Sequence, residues 1–176
     1  VHYQFETIHP FADGNGRVGR MLIPLMAMAE GLLDVPVLYM SPELESRKYE
    51  YIDLMYAVSA RGAWTDWLNF FLGVAALSAE RTVRTIDRVL ALHSEYGRRA
   101  KALSRSSNLL EVIDMIFDRP VVQAKGVVSR VGVTDAAARN LIRQLVDLGI
   151  LVEVPGVYPT AWRARELIDI SRPEAL

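Results

Sequence analysis

The stretch His9-Pro10-Phe11-Ala12-Asp13-Gly14-Asn15-Gly16-Arg17-Val18-Gly19-Arg20 constrains this chain more than any other. Two glycines flank Asn15 in a turn, and a helical pattern starts at once. Val18, Met21, Leu22, Leu25, Met26 and Ala29 recur at three- and four-residue steps, out to about Leu32. Backbone N–H groups at such a turn converge, and the helix N-terminus adds its partial positive charge at the same point. Arg17 and Arg20 share one face of the first turn, where the helix dipole disfavours cations, so a bound anion accounts for both. Asp13 sets one carboxylate beside this cradle, where it could cap the helix or hold Mg²⁺ together with phosphate oxygens and water. His9 can take up a proton near neutral pH. A base, a carboxylate, an anion nest and two arginines within twelve residues point to phosphoryl or nucleotidyl transfer.

The rest of the sequence narrows the class. The chain has 176 residues, 51% apolar and 23% charged, with a mean hydropathy of +0.15. That is enough for two small globular domains and argues against disorder. No apolar run approaches the length of a membrane-spanning helix. With no cysteine, a disulfide framework, a thiolate zinc site and a thiol nucleophile are all excluded. Their absence fits a reducing cytoplasm, and no secretory signal opens the chain. The chain enters mid-pattern at Val1, so residues upstream are expected. The net charge of −1 is uneven: residues 1–80 hold 5 Lys/Arg against 10 Asp/Glu, and residues 81–176 hold 15 against 11. Only the second part is suited to a polyanion.

Residues 1–80 read as helical throughout. Pro10 keeps His9 out of helical geometry, Pro24 predicts an irregularity inside the first long helix, and Gly31 suits its C-cap. Val35 to Tyr39 is an extended connector. Ser41-Pro42 starts a further helix, with serine as cap and proline at the first position, running past Tyr51 to Gly62. A third helix, from Ala63 to about Leu92, carries Trp64, Trp67, Phe70 and Phe71 as core and Arg81, Arg84 and Arg88 as a basic face. His2 reads as a packing or capping residue and His93 as a solvated one. Neither lies at metal-ligand spacing.

Residues 93–107 are polar and basic and read as a connection. Asn108-Leu109-Leu110-Glu111 has capping-box spacing for a helix to Phe117, which Pro120 ends. Helices over 123–131 and 135–148 follow, separated by Gly132-Val133, the second capped at Thr134 or Asp135 and stopped by Gly149. A strand at 150–154, a Pro155-Gly156 turn and a return strand from Val157-Tyr158 close the pattern. Val128, Gly132 and Ala138 sit where a helix-turn-helix needs them, and Leu141, Ile142, Leu145 and Leu148 form a buried stripe. Arg139, Asn140 and Arg143 on the opposite face are residue types that read base edges, although Asp135 and Asp147 work against a polyanion.

Residues 9–20 match the Fic family signature, His-x-Phe-x-Asp/Glu-Gly-Asn-Gly-Arg-x-x-Arg, at every specified position. The flanks His2 to Ile8, Gly31 to Leu33 and Val37 to Tyr39 are similar too, and the resemblance covers about residues 1–80. The tail resembles, at the level of the fold, the winged helices that end many bacterial Fic proteins. Together these imply a mainly α chain: the C-terminal portion of a Fic catalytic domain over 1–80, a helical linker over 81–107, and a winged helix-turn-helix with a small β-hairpin over 108–176.

The resemblance implies AMP transfer from ATP to a Ser, Thr or Tyr hydroxyl of a target protein. His9 is then the catalytic base and Asp13 the Mg²⁺ ligand. Asp13, Gly14, Asn15, Gly16, Arg17, Val18, Gly19 and Arg20 form the nucleotide site, Arg17 on the β-phosphate and Arg20 on the terminal one. Phe11 is implied to be a buried loop anchor, and Tyr51 is placed by the base, although its neighbour Ile52 leaves the family's aromatic pair incomplete. Gly16 departs from the related Doc kinases, which have lysine there. The family's flap precedes the motif beyond this chain's reach. Ser107 to Val112 fails the self-inhibitory pattern at its last position. Duplex DNA or protein are the partners implied for the winged helix, through Arg139, Asn140 and Arg143 in the first case. A homodimer is left open and no membrane is implied. The alternatives are a DNA-binding regulator that senses nucleotide, and transfer of another nucleotide or of a phosphocholine moiety.

Overall fold

The computed structural model describes residues 1–103 and 107–172. They fall into two compact units, one from Val1 to Arg84 and the other from Thr85 onward.

In the first unit α1 (His2–Ile8) leads through a loop into α2 (Asn15–Ala29). α1 stops because Pro10 denies His9 right-handed helical geometry; His9 takes the left-handed conformation instead, at φ 51° and ψ 57°. Its N–H still closes the helix on the Phe5 carbonyl at 3.0 Å. α2 runs on through Pro24 without a break, although the proline offers no N–H to the Arg20 carbonyl. It ends where Gly31 turns left-handed at φ 72°, with Gly31 N–H on Met28 O and Leu32 N–H on Ala27 O.

The helix expected from Ser41 to Gly62 is two: α3 (Ser41–Ser46) and α4 (Lys48–Arg61), broken at Arg47 with φ −115° and ψ 30°. At the break the Ser46 hydroxyl bonds the Glu43 carbonyl at 2.9 Å, a local closure that competes with helix continuation. Met40, not Ser41, is the N-cap; Pro42 keeps its place in the first turn. α5 (Trp64–Leu103) begins in this unit. Met40, Leu44, Val58, Trp67, Phe70 and Val74 form the core, with Tyr3, Tyr51 and Phe71 packed against it. Trp64 is half exposed, so that part of the aromatic run is a rim.

Arg81 belongs to the packing rather than to a solvated basic face. It reaches Glu43 Oε1 at 3.0 Å, while the buried Ser78 hydroxyl donates to Oε2 at 3.2 Å. Both ionic partners are mostly covered, at 26% and 13% side-chain exposure. Glu43→Ala is expected to cost about 1.5–3 kcal/mol, the scale of hydrogen bonds to a charged group, because Ser78 and Arg81 are left without their acceptor. Urea unfolding checks this; an unchanged midpoint would remove the tie between α3 and α5.

In the second unit α5 carries on to Leu103, eleven residues beyond the expected end at Leu92. The polar stretch 93–103 is one-sided: Leu92, Tyr96 and Ala100, spaced at i, i+4 and i+8, are all buried. His93 is not a free linker residue, since its Nε2 lies 2.7 Å from Asp114 Oδ1 and its ring meets Phe117 edge-on. α6 (Ser107–Asp118) is already running at Ser107, so Asn108 lies inside its first turn and is not its cap.

β1 (Val121–Gln123), α7 (Ala124–Val131) and α8 (Asp135–Asp147) follow. The Thr134 hydroxyl accepts from Ala137 N–H and caps α8 as expected. β2 is short (Val152–Glu153), and the return strand β3 is Ala161–Arg163 rather than Val157-Tyr158. Val157 and Tyr158 stay in the loop, before a cis peptide at Pro159. The described strands pair antiparallel in the order β1-β3-β2, with Val121 and Val152 flanking Arg163. α9 (Arg165–Ser171) completes the unit. Its core holds Tyr96, Leu109, Ile113, Ile116, Ile142, Leu145 and Ile150, each at most 1% exposed. The chain is therefore mainly α with one small antiparallel sheet. Among the described residues, no helix is long and apolar enough to cross a membrane.

Candidate active site

The loop between α1 and α2 is held by Asn15. This side chain is 2% exposed, and its Oδ1 accepts from Phe11 N–H at 2.9 Å while its Nδ2 donates to Phe11 O at 2.6 Å. One amide thus imitates a strand partner for a residue four positions back. Phe11 itself is 51% exposed, against the expectation of a buried anchor. Its backbone is what Asn15 fixes, and its ring stands outward, 6.2 Å from Phe5.

Gly14 caps α2 at φ 85°, a conformation that strains any residue with a Cβ. No side chain caps the helix there and no acid lies in its first turn. The two arginines fold back over the glycines. A Cβ at Gly14 would sit 3.3 Å from an Arg17 terminal nitrogen, and one at Gly16 would sit 3.1 Å from an Arg20 terminal nitrogen. Asp13 is 92% exposed; one oxygen accepts from Gly14 N–H at 2.6 Å and the other meets Arg17 at 3.2 Å. His9 is exposed at the end of α1. The end of α1, the loop and the first two turns of α2 thus carry His9, Asp13, Arg17 and Arg20.

Gly19 faces the protein instead. A Cβ there would come 2.9 Å from the Glu6 carboxyl carbon and 3.2 Å from Phe5, so α1 lies directly on α2 at this point. The Gly19 carbonyl lies 3.0 Å from His2 Nδ1, and His2 Nε2 lies 3.1 Å from the Tyr51 hydroxyl. Burial is the main reason that His2 binds a proton less readily than usual and that the Tyr51 hydroxyl holds its proton more tightly. Burial also raises the Glu6 carboxyl, and its Oε1 is buried with no hydrogen-bond partner. Tyr51 also packs its ring 5.4 Å from Trp67.

A cavity of about 560 Å³ opens beside Arg17 and Arg20, lined further by Met21, Pro24, Leu25 and Tyr39. Tyr51 is not among its walls; the tyrosine that shares this cavity with the arginines is Tyr39, 62% exposed. Sequence reasoning passed over it because a lone tyrosine in an irregular connector has no periodicity to mark it.

In the second unit Ala138, Leu141, Ile142 and Leu145 are buried on one side of α8, and Leu148 is half-buried. Arg139, Asn140 and Arg143 are exposed on the other. Arg139 is engaged by Asp135 at 2.7 Å, one helical turn earlier.

The Fic/DOC family profile matches residues 1–27. A probable protein adenylyltransferase of Aquifex aeolicus (strain VF5) is 59% identical over 34 residues, which is 19% of this chain and 11% of that protein. Protein adenylyltransferase Fic of Aedes aegypti is 28% identical over 107 residues, 61% of this chain and 19% of the relative. Its counterpart in Culex quinquefasciatus is 29% identical over 105 residues, 60% of this chain and 18% of the relative. The chain thus spans no more than a fifth of these relatives' length. The matched segment holds α1, the Asn15-clamped loop and most of α2. Through that segment, the chain is similar to the Fic/DOC family.

Proposed function

We propose that this chain carries the catalytic segment of a protein adenylyltransferase, which moves AMP from ATP to a hydroxyl side chain of a target protein. The observation that carries the reading is the first turn of α2. It has no side-chain cap and no acid, and two guanidinium groups are drawn over its glycines. An anion relieves both the unclaimed N–H groups and the cationic crowding at the positive end of the helix. Gly16 leaves that end free of a further cation, which favours nucleotidyl over phosphoryl transfer within this family.

In the proposed reaction His9 takes the proton from the target hydroxyl, whose oxygen attacks the α-phosphorus as the bond to the bridging oxygen breaks and pyrophosphate leaves. Arg17 holds the β-phosphate and Arg20 the terminal one, with the backbone from Gly14 to Gly16 around them, while Gly19 packs on α1. The donor set suits Mg²⁺: one exposed carboxylate at Asp13, and among the described residues no cluster of three or more ligating side chains. Such a site fits a hydrated ion completed by phosphate oxygens rather than an all-protein cage. When bound, the ion neutralises charge on the phosphates. Tyr51 is retained as the proposed base-side residue on the family resemblance alone, since its hydroxyl lies on His2 and its ring packs on Trp67.

Order along the phosphates is testable. Arg20→Ala is expected to weaken ATP more than ADP, by roughly 1.5–3 kcal/mol, the scale of a charged hydrogen bond. Arg17→Ala weakens both alike, and Asp13→Ala makes binding insensitive to Mg²⁺. Calorimetry with ATP and ADP, with and without Mg²⁺, reads all three. Equal losses of ATP and ADP in Arg20→Ala would reverse the assigned order and favour a kinase-like pose.

For the second unit we propose a winged helix-turn-helix, made of α6, α7, α8 and the three-stranded sheet. The capped, one-sided α8 supports it, and exposed Asn140 and Arg143 with Arg139 are its proposed DNA face. The Asp135 pairing of Arg139 weighs towards protein docking as the second reading. If DNA is the partner, Arg139→Ala with Arg143→Ala flattens the salt dependence of duplex binding.

A further inference from the structure

We infer that a pocket between β3 and α9 binds a phosphate-type oxyanion. Arg163, Arg165 and Arg172 line it, with Ile168 and Asp169, around a volume of about 260 Å³. Arg163 sits on the middle strand of the sheet, and its Nε is buried with no hydrogen-bond partner. A buried N–H without an acceptor is costly, and water or an anion is the usual remedy. Among the described residues, the lining holds one carboxylate for three guanidinium groups. Asp169 lies 3.5 Å from Arg165 Nε and 3.7 Å from an Arg172 terminal nitrogen, so it is stretched between two partners and does not touch the third. The described lining therefore carries a surplus of positive charge, and Arg163, which belongs to it, holds a buried Nε–H without an acceptor. Guanidinium forks suit the oxygens of a tetrahedral phosphate. A volume of about 260 Å³ admits a phosphate group. The group is either a free phosphate or one phosphate of a nucleic-acid backbone; the recognition chemistry is the same.

The test uses the full chain, ¹⁵N-labelled and carrying Arg17→Ala so that the α2 site does not compete. Arginine Nε–H resonances are followed during titration with inorganic phosphate, against chloride at equal ionic strength. The Arg163 resonance is expected to shift saturably. Arg165→Gln with Arg172→Gln, both exposed positions, should weaken the apparent affinity at least about tenfold while the rest of the spectrum is kept. A short DNA duplex forms the second arm. If it moves the same resonances, the ligand is a backbone phosphodiester; if only inorganic phosphate does, the ligand is a small phosphate. An Arg163 resonance that phosphate leaves in place, or one that shifts equally in the double variant, overturns the site.

Discussion

His9→Ala is expected to lower AMP transfer by about 10²–10⁴-fold, the usual contribution of a positioned general base, while ATP affinity changes by less than about threefold. The asymmetry follows from where His9 stands. It lies before the turn that would cradle the phosphates, exposed at the end of α1 with a left-handed backbone. In the proposed reaction it acts on the incoming hydroxyl and not on the bound nucleotide. Radiolabel transfer and calorimetry on the same preparation separate the two quantities. Equal loss of binding and turnover would remove His9 from the role of base and make it a structural part of the loop.

Asn15→Ala should be the most damaging single change to the loop itself. It removes both partners of the Phe11 backbone from a site that is 2% exposed. Each part-buried group left unpaired costs about 1–2 kcal/mol, so the loop is expected to lose roughly 2–4 kcal/mol of local stability. Asn15→Asp keeps the acceptor for Phe11 N–H but sets a carboxylate against the Phe11 carbonyl, and is expected to be little better. Hydrogen exchange at Phe11 N–H reports the opening directly, and nucleotide affinity should fall with it. Protection at Phe11 unchanged in Asn15→Ala would mean that the loop is held by something other than this amide.

The candidate site was legible because its parts are adjacent in sequence. A histidine, a carboxylate, two glycines and two arginines within twelve residues fall on one loop and the start of one helix. Asn15 was taken for a phosphate-loop residue, and its inward grip on Phe11 needed coordinates: an amide between two glycines looks the same whether it points in or out. The same ambiguity misplaced Phe11. α8 was read closely, since Thr134, the Ala138 to Leu145 stripe and Gly149 are all local signals.

The sheet was not. β1 and β3 have three residues each, and the register of Val121 with Arg163 is set across some forty residues of chain, beyond any local pattern. The length of α5 was lost by weighing composition over spacing: residues 93–103 are polar on average, yet Tyr96 and Ala100 are fully buried. There the Tyr96 hydroxyl is pushed up to about 12, mainly by burial. α9 was missed because it follows directly on β3 and has only seven residues.

In the proposed reaction, the anion site at the start of α2 presents the α-phosphorus of ATP to a hydroxyl, with His9 as base. Its most direct test is a paired labelling experiment on the protein containing this chain, using ATP labelled at the α-phosphate or at the γ-phosphate. The account predicts label on protein from the α-position alone, released together with unlabelled pyrophosphate and lost in His9→Ala. Label from the γ-position, or α-label that persists in His9→Ala, would contradict it.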